Sequence, residues 1–337
     1  MSGRVRVTVF AKTDLGQSRD HNEDTFLVAD LTTGKASLMP DVRSHDVGER
    51  GSLFMVADGM GGAAAGELAS SMAVDLIYRH LSTTWPHDEE ISGARFAYRV
   101  REAVELANGE LYAYALEHPD VRGMGTTVTL VGVFGADLIL AQIGDSRAYL
   151  VRGGQAIQLT RDQSLTQRLV DAGELTEEEA ERSERRNIIL QALGPDPRVR
   201  VDLSQQSLRR DDILIMCSDG LSGSVRKDEI AALAGEHSEL SDLCSALIDL
   251  ANERGGPDNI TVVAARFSGD VLPESDGTSA VGYQNITLDG TEPDTDEHEV
   301  VAVPPEEPRP SFALSMPRLV LIGLTLLAAV LAALLLS

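Results

Sequence analysis

The sequence predicts an α+β fold built on antiparallel sheet. Two observations point there: short apolar runs separated by tight turn signals, and a few long amphipathic stretches interrupting them without the strict strand–helix alternation of a doubly wound parallel sheet. In chain order the strand-like runs are residues 5–11, 53–57, 126–134, 138–143, 148–152, 212–217 and 260–267. Links such as Gly135-Ala136-Asp137 and Arg152-Gly153-Gly154 are short enough to join neighbours only as antiparallel hairpins. Helical periodicity marks 66–81, 94–116, 165–172 and 241–253. With 337 residues, 43% of them hydrophobic, the chain can bury a sizeable core in one large domain or two ordinary ones.

The composition changes after residue 267. Residues 268–311 carry eleven acids and one base among Pro, Gly, Ser and Thr, with too little apolar surface to offset their ordering entropy. They read as a disordered acidic linker, spanning roughly 35–40 Å as a flexible coil. Within it, Asn285-Ile286-Thr287 matches a glycosylation sequon, read as a chance match. Residues 312–337 follow as an expected transmembrane anchor: 319–336 are eighteen uncharged residues, about 27 Å as a helix, and apolar all round except at Thr325. Arg318 at the near end favours a cytoplasmic amino-terminal part, as does an opening MSGRVRVTVFAKTD without the apolar stretch of a secretory signal. The two cysteines, Cys217 and Cys244, are too few for a disulfide scaffold and read as buried thiols in a reducing compartment.

Fifty-three acids against 29 bases leave a net charge of −24, which opposes binding to nucleic acid. An anionic substrate would need local positive charge from a metal or a placed arginine. Four acidic positions share a pattern, each at or near the end of a strand-like run in a turn rich in Gly, Ser or Asn. They are Glu23-Asp24, Asp58 in Asp58-Gly59-Met60-Gly61-Gly62, Asp219 in Ser218-Asp219-Gly220, and Asp258 in Gly256-Pro257-Asp258-Asn259. Each alone is ordinary turn chemistry. Together, converging carboxylates would make an all-oxygen site for a hard cation such as Mg²⁺ or Mn²⁺. Gly59-Met60-Gly61-Gly62-Ala63-Ala64 also matches a dinucleotide-binding turn, but no second strand ending in an acid follows about 20 residues on. Zinc-spaced Cys/His clusters, phosphate-loop and serine-hydrolase motifs are absent from the sequence.

Six ordered blocks resemble the bacterial metal-dependent Ser/Thr phosphatases of protein phosphatase type 2C, over about residues 5–267. They are Arg19-x-x-Asn22-Glu23-Asp24, Val56-Ala57-Asp58-Gly59-Met60-Gly61-Gly62, Gly123-Met124-Gly125-Thr126-Thr127, Gly144-Asp145-Ser146-Arg147, Cys217-Ser218-Asp219-Gly220 and Gly256-Pro257-Asp258-Asn259-Ile260-Thr261. The resemblance implies two packed antiparallel sheets flanked by helices, an α/β/β/α sandwich, with two metals, Mn²⁺ or Mg²⁺, in a cleft at one end. It implies that Asp58 bridges both, that Asp219 and Asp258 complete one, and that Glu23 and the Gly59 carbonyl hold the other, with Asp24 ligating directly or through water. Such a pair generates a metal-bridged hydroxide for attack on phosphoserine or phosphothreonine of proteins. Arg19 is then the phosphate clamp, its alternative being a surface salt bridge with a nearby acid. Asp145 with Asp219 would hold a third, weaker metal, Asp171 is a further candidate there, and 160–194 corresponds to a flap beside the site. The run Glu177-Glu178-Glu179-Ala180-Glu181 reads as a solvated helical face.

The sequence also departs from the family pattern. Ala63 follows the Gly-Gly pair where His is frequent, Gln163 stands where Asp-His-Ser is common, and Met60 replaces a His of animal members, leaving the proton donor to the leaving group open. Residues 37–50 are longer and more polar than the family leads one to expect. Expected partners are phosphorylated proteins, bacterial-type Ser/Thr kinases whose work the enzyme reverses, and the membrane through the tail. The competing expectation is an inactive, membrane-tethered phosphoprotein-binding module of the same fold.

Overall fold

The apolar runs of the sequence become the inner strands of two stacked antiparallel sheets in the computed structural model, which describes residues 4–288 except 38, 40, 42, 184 and 276–279. The strands β1 (Arg6–Asp14), β2 (Asp24–Asp30), β3 (Lys35–Ser37), β4 (Arg43–Asp46) and β5 (Ser52–Met60) precede helices α1 (Ala63–Thr84) and α2 (Gly93–Glu117). A short β6 (Gly125–Thr126) leads into the hairpin of β7 (Val128–Phe134) and β8 (Asp137–Ile143), and the chain then crosses to the other sheet for the hairpin of β9 (Arg147–Arg152) and β10 (Gln155–Gln158). Helices α3 (Leu165–Asp171) and α4 (Glu177–Glu181) come next, then β11 (Asp202–Ser207), β12 (Ile213–Cys217), α5 (Asp219–Ser222), α6 (Lys227–Glu236), α7 (Leu240–Glu253) and β13 (Ile260–Ser268).

Among the described residues one sheet runs β10-β9-β12-β13-β1-β4 and the other β11-β8-β7-β5-β2-β3, with β6 pairing β5. Side chains alternate across each inner strand, so both faces must be covered. On β5, Phe54 and Val56 pack between the sheets while Leu53, Met55 and Ala57 pack beneath α1 and α2. On β12, Leu214 and Met216 face the inter-sheet core, and Ile215 and Cys217 face α6 and α7. The result is helix, sheet, sheet, helix, as expected. Burial on both faces is why these strands read as continuous apolar runs.

Three features differ from the sequence expectation. The 37–50 stretch supplies β4, an edge strand paired with β1 from Arg6↔Asp46 to Val9↔Arg43. The polar strand β11 carried no hydrophobic signal, because it is an edge strand. The compact unit also reaches Leu288 rather than 267, because part of the expected linker lies along β11. Gln205 N–H donates to Gln284 O (2.9 Å), Ile286 N–H to Leu203 O (2.9 Å), and Tyr283 Oη to Asp202 Oδ1 (2.6 Å). That stretch satisfies backbone groups an open sheet edge would leave unpaired. The remainder of the linker and the expected membrane anchor lie outside the described residues. Among the described residues no helix is long and apolar enough to cross a membrane.

Candidate metal centre

One end of the sandwich gathers the acidic positions because five strand ends meet there. Glu23 and Asp24 sit at the start of β2, Asp58 near the end of β5, Asp145 in the β8–β9 turn, Asp219 just after β12, and Asp258 just before β13. Register places Asp24 directly opposite Asp58 across β2 and β5. Two like charges facing each other across a ladder are destabilising unless protonated or bridged by a cation. Asp24 and Asp145 are buried, at 8% and 6% exposure, while Asp58, Asp219, Glu23 and Asp258 are half-buried.

The surroundings give these carboxylates little compensation. Burial, opposed by the Ser218 hydroxyl and reinforced by Asp219 and Asp258, pushes Asp24 up to about 7. Burial, then Asp219 and Asp162, does the same for Asp145, also to about 7. Asp58 is pushed well up by burial and then by Asp24, Asp219, Asp145 and Asp258, and Asp219 is raised by burial and Asp258. Asp219 also lies close enough to Asp58 for the two carboxyls to act on each other directly. Burial raises Glu23 as well, against the pull of Arg19.

The chain locks the backbone of the site while leaving Asp24 Oδ1 and Asp219 Oδ1 unpaired. Asn259 Oδ1 accepts from Glu23 N–H (2.8 Å), and its Nδ2 donates to the carbonyls of Leu15 (3.0 Å) and His21 (2.9 Å). Ser218 Oγ donates to Asp24 Oδ2 (2.7 Å) and accepts from Thr261 N–H (3.0 Å). Thr127 Oγ1 accepts from Asp58 N–H (3.0 Å). Gly66 on α1 gives the Glu23 carboxylate room against the helix, since a Cβ there would displace it. Sequence reasoning had assigned no role to Asn259, Ser218, Thr127 or Gly66; the available signal was a buried polar or glycine residue beside each acid.

Arg19 donates through Nη2 to Asp258 Oδ2 (2.7 Å), the salt bridge weighed as its alternative, while its charge also acts on Glu23 and Asp58. Asp171 is not brought to the cluster; it pairs with Arg161 (2.7 Å) and accepts from Gln167 Nε2 (3.0 Å) on α3. Arg186, in the segment between α4 and β11, places positive charge near Asp219 and was not anticipated. Glu177 and its neighbours form the exposed helix α4, with Thr176 and Glu179 closing a capping box. Cys217 and Cys244 are buried thiols whose pKa burial pushes up to about 12, leaving them inert.

Among the described residues, no three His, Cys, Asp or Glu side chains stand close enough to hold an ion as they are. The donor set nevertheless fits hard divalent cations. Asp24 Oδ1 and Asp219 Oδ1 are buried with no hydrogen-bond partner, and an unpaired buried carboxylate oxygen is costly unless something cationic meets it.

Comparison with known proteins bears on this centre directly. A family model described as protein phosphatase 2C matches residues 37–255. The chain belongs to the protein phosphatase 2C family. It is 35% identical to a serine/threonine phosphatase, stp, of Listeria monocytogenes over 75% of this chain and 92% of that protein. It is 40% identical to the serine/threonine protein phosphatase PstP of Mycobacterium tuberculosis over 63% of this chain, which spans 40% of that longer protein. The solved catalytic domain of PstP in complex with two manganese ions superposes with a TM-score of 0.63 at 34% identity, covering 78% of this chain and 99% of that one. The chain is accordingly a protein-serine/threonine phosphatase of a metal-dependent family.

Proposed function

We propose that this phosphatase hydrolyses phosphoserine and phosphothreonine on proteins with two divalent cations, Mn²⁺ or Mg²⁺, held by Glu23, Asp24, Asp58, the Gly59 carbonyl, Asp219 and Asp258. A third, weaker cation would sit between Asp145 and Asp219. The observation that carries this is the pair of buried, unpartnered oxygens, Asp24 Oδ1 and Asp219 Oδ1, within a cluster whose members raise one another's pKa. When bound, the cations supply Lewis acidity, lowering the pKa of water and offsetting phosphoryl charge. The carboxylates hold the cations, and the Asn259 and Ser218 bonds keep the backbone from relaxing as charge shifts during reaction. Arg19 binds and orients the substrate: one N–H group holds Asp258, and the rest of its planar fork suits phosphoryl oxygens.

The substrates would be proteins phosphorylated by bacterial-type Ser/Thr kinases, met at the inner face of the cell membrane through an anchor at 312–337. The uncharged run 319–336 supports that placement. Restricting the enzyme to the membrane raises the effective concentration of substrates within reach of the linker.

Phosphate release from a phosphothreonine peptide by the full chain tests the chemistry: turnover with Mn²⁺ or Mg²⁺ and none with EDTA. Silence in all three from folded protein would leave the inactive binding module. Deleting 312–337 should move the protein from membrane to soluble fraction with peptide turnover unchanged; retention in the membrane would sink the anchor.

A further inference from the structure

Gln163, where the family commonly has His, joins the turn that carries Asp145 to the base of the 164–196 segment. Its N–H donates to Gly144 O (2.9 Å), and its Oε1 accepts from Gly144 N–H (2.9 Å) and from Gln191 Nε2 (2.9 Å). Its carbonyl accepts from Leu190 N–H (2.8 Å). Gln191 closes in turn on Arg200, donating to its carbonyl and accepting from its N–H, both at 2.8 Å. The outgoing and returning chains meet again where Leu165 N–H donates to Ile188 O (2.9 Å). Beyond that neck, Leu193 and Thr126 exchange backbone bonds of 3.0 and 2.9 Å, and Thr126 Oγ1 donates to Asp58 O (2.9 Å). One continuous set of bonds therefore spans the backbones that carry Asp145 and Asp58.

Gly144 cannot define this turn alone. Its φ of +94° is open to glycine and strained for other residues, and a Cβ would strike Thr127 Cγ2 at 2.6 Å. Two side chains grip the turn from outside: Gln142 Nε2 donates to the carbonyls of Gly144 (3.0 Å) and Ser146 (2.7 Å), and the Gln163 amide is the one that also holds Gln191 and so ties the turn to the neck.

We propose that Gln163 is a positioning residue that fixes Asp145 against Asp58 and closes the neck of the 164–196 segment, so that one side chain sets both the affinity of the weakest cation and the KM for a phosphopeptide. This rests on the reading of Asp145 as a cation ligand. Without the amide, the turn keeps its bonds to Gln142 and to the Gln163 backbone but loses its tie to the neck, so part of its ordering falls at the moment a cation binds, which weakens that binding.

The test is Mn²⁺ binding to the full chain, followed by electron paramagnetic resonance of free Mn²⁺, with trypsin cleavage at Arg182, Arg185 and Arg186 of the metal-free protein as a second readout. In Gln163→Ala the weakest class of Mn²⁺ site should weaken about tenfold, comparable to one net hydrogen bond. Trypsin cleavage should quicken, and KM for a phosphopeptide should rise more than KM for a small aryl phosphate. Gln191→Ala should reproduce the faster cleavage and about a threefold weakening, and it decides the matter if Gln163→Ala fails to fold. Asp145→Asn separates the two readings. If it leaves Mn²⁺ stoichiometry intact, the assignment of Asp145 fails and this proposal with it. If it abolishes the weak site while folded Gln163→Ala, or Gln191→Ala in its place, binds Mn²⁺ like wild type, the positioning role alone is overturned.

Discussion

The strands β9 and β12 have a carboxylate beside each end of their pairing, and the two ends are treated in opposite ways. At one end, Asp212 is 1% exposed and fully matched: Arg152 Nε and Nη2 donate at 2.8 and 2.6 Å, and Arg209 N–H donates at 2.7 Å. At the other, Asp219 stands among like charges and keeps a buried oxygen with no hydrogen-bond partner. The register Ile213↔Val151 to Cys217↔Arg147 separates the ends by about 13 Å, at roughly 3.3 Å per residue. The matched carboxylate of Asp212 makes a structural fastening, whereas the unmatched oxygen of Asp219 suits the uptake of a cation. Composition cannot distinguish them, since each is one Asp beside an apolar strand.

The sharpest way to break this contrast is Asp219→Asn. With Mn²⁺, peptide turnover should fall roughly 10⁴-fold, about 5 kcal/mol of transition-state stabilisation. In EDTA the same variant should melt no lower than wild type, because it removes one of several repelling charges; a lower metal-free Tm would make Asp219 a structural residue like Asp212. Asp212→Ala should do the reverse, costing about 3–5 kcal/mol in urea unfolding by stranding Arg152. Unchanged stability there would erase the distinction from the other side.

A subtler difference lies in pH dependence. Asp24 and Asp145, both near 7 in the fold, bind protons more tightly folded than unfolded. Their contribution to metal-free stability is therefore fully present below about pH 4 and is lost as pH rises to 7, by at most about 1.4 kcal/mol per pH unit for each group. Urea unfolding in EDTA at pH 5 and pH 7 measures it, and Asp145→Asn should flatten the slope. A slope the same in Asp145→Asn as in wild type would mean the site is not strained by its own charge. The smallest expected effect tests the end of the domain: Tyr283→Phe removes the bond to Asp202 and should cost about 1 kcal/mol.

Much of the fold was legible because its inner strands are apolar on both faces, as at 212–217 and 260–267. β11 was not legible, since DLSQQS is a polar edge strand whose pairing comes from β8, from Asp202↔Gln142 to Ser207↔Asp137, far away in the chain. The acids of the centre stood out because each ends a strand in a turn. Their partners did not: nothing local in the chain indicates that Ser218 will bond Asp24 across 194 positions or that Arg19 will lie on Asp258. Asp171 was a candidate only beside the family resemblance, and Arg161 claims it.

By itself the sequence determined which residues could bear the chemistry, because Asp-Gly and Asp-Asn turns at strand ends are local events of backbone geometry. Only the tertiary structure decided which carboxylates would be left without a cation, because desolvation and Coulomb repulsion depend on distances that exist only after the two sheets have stacked.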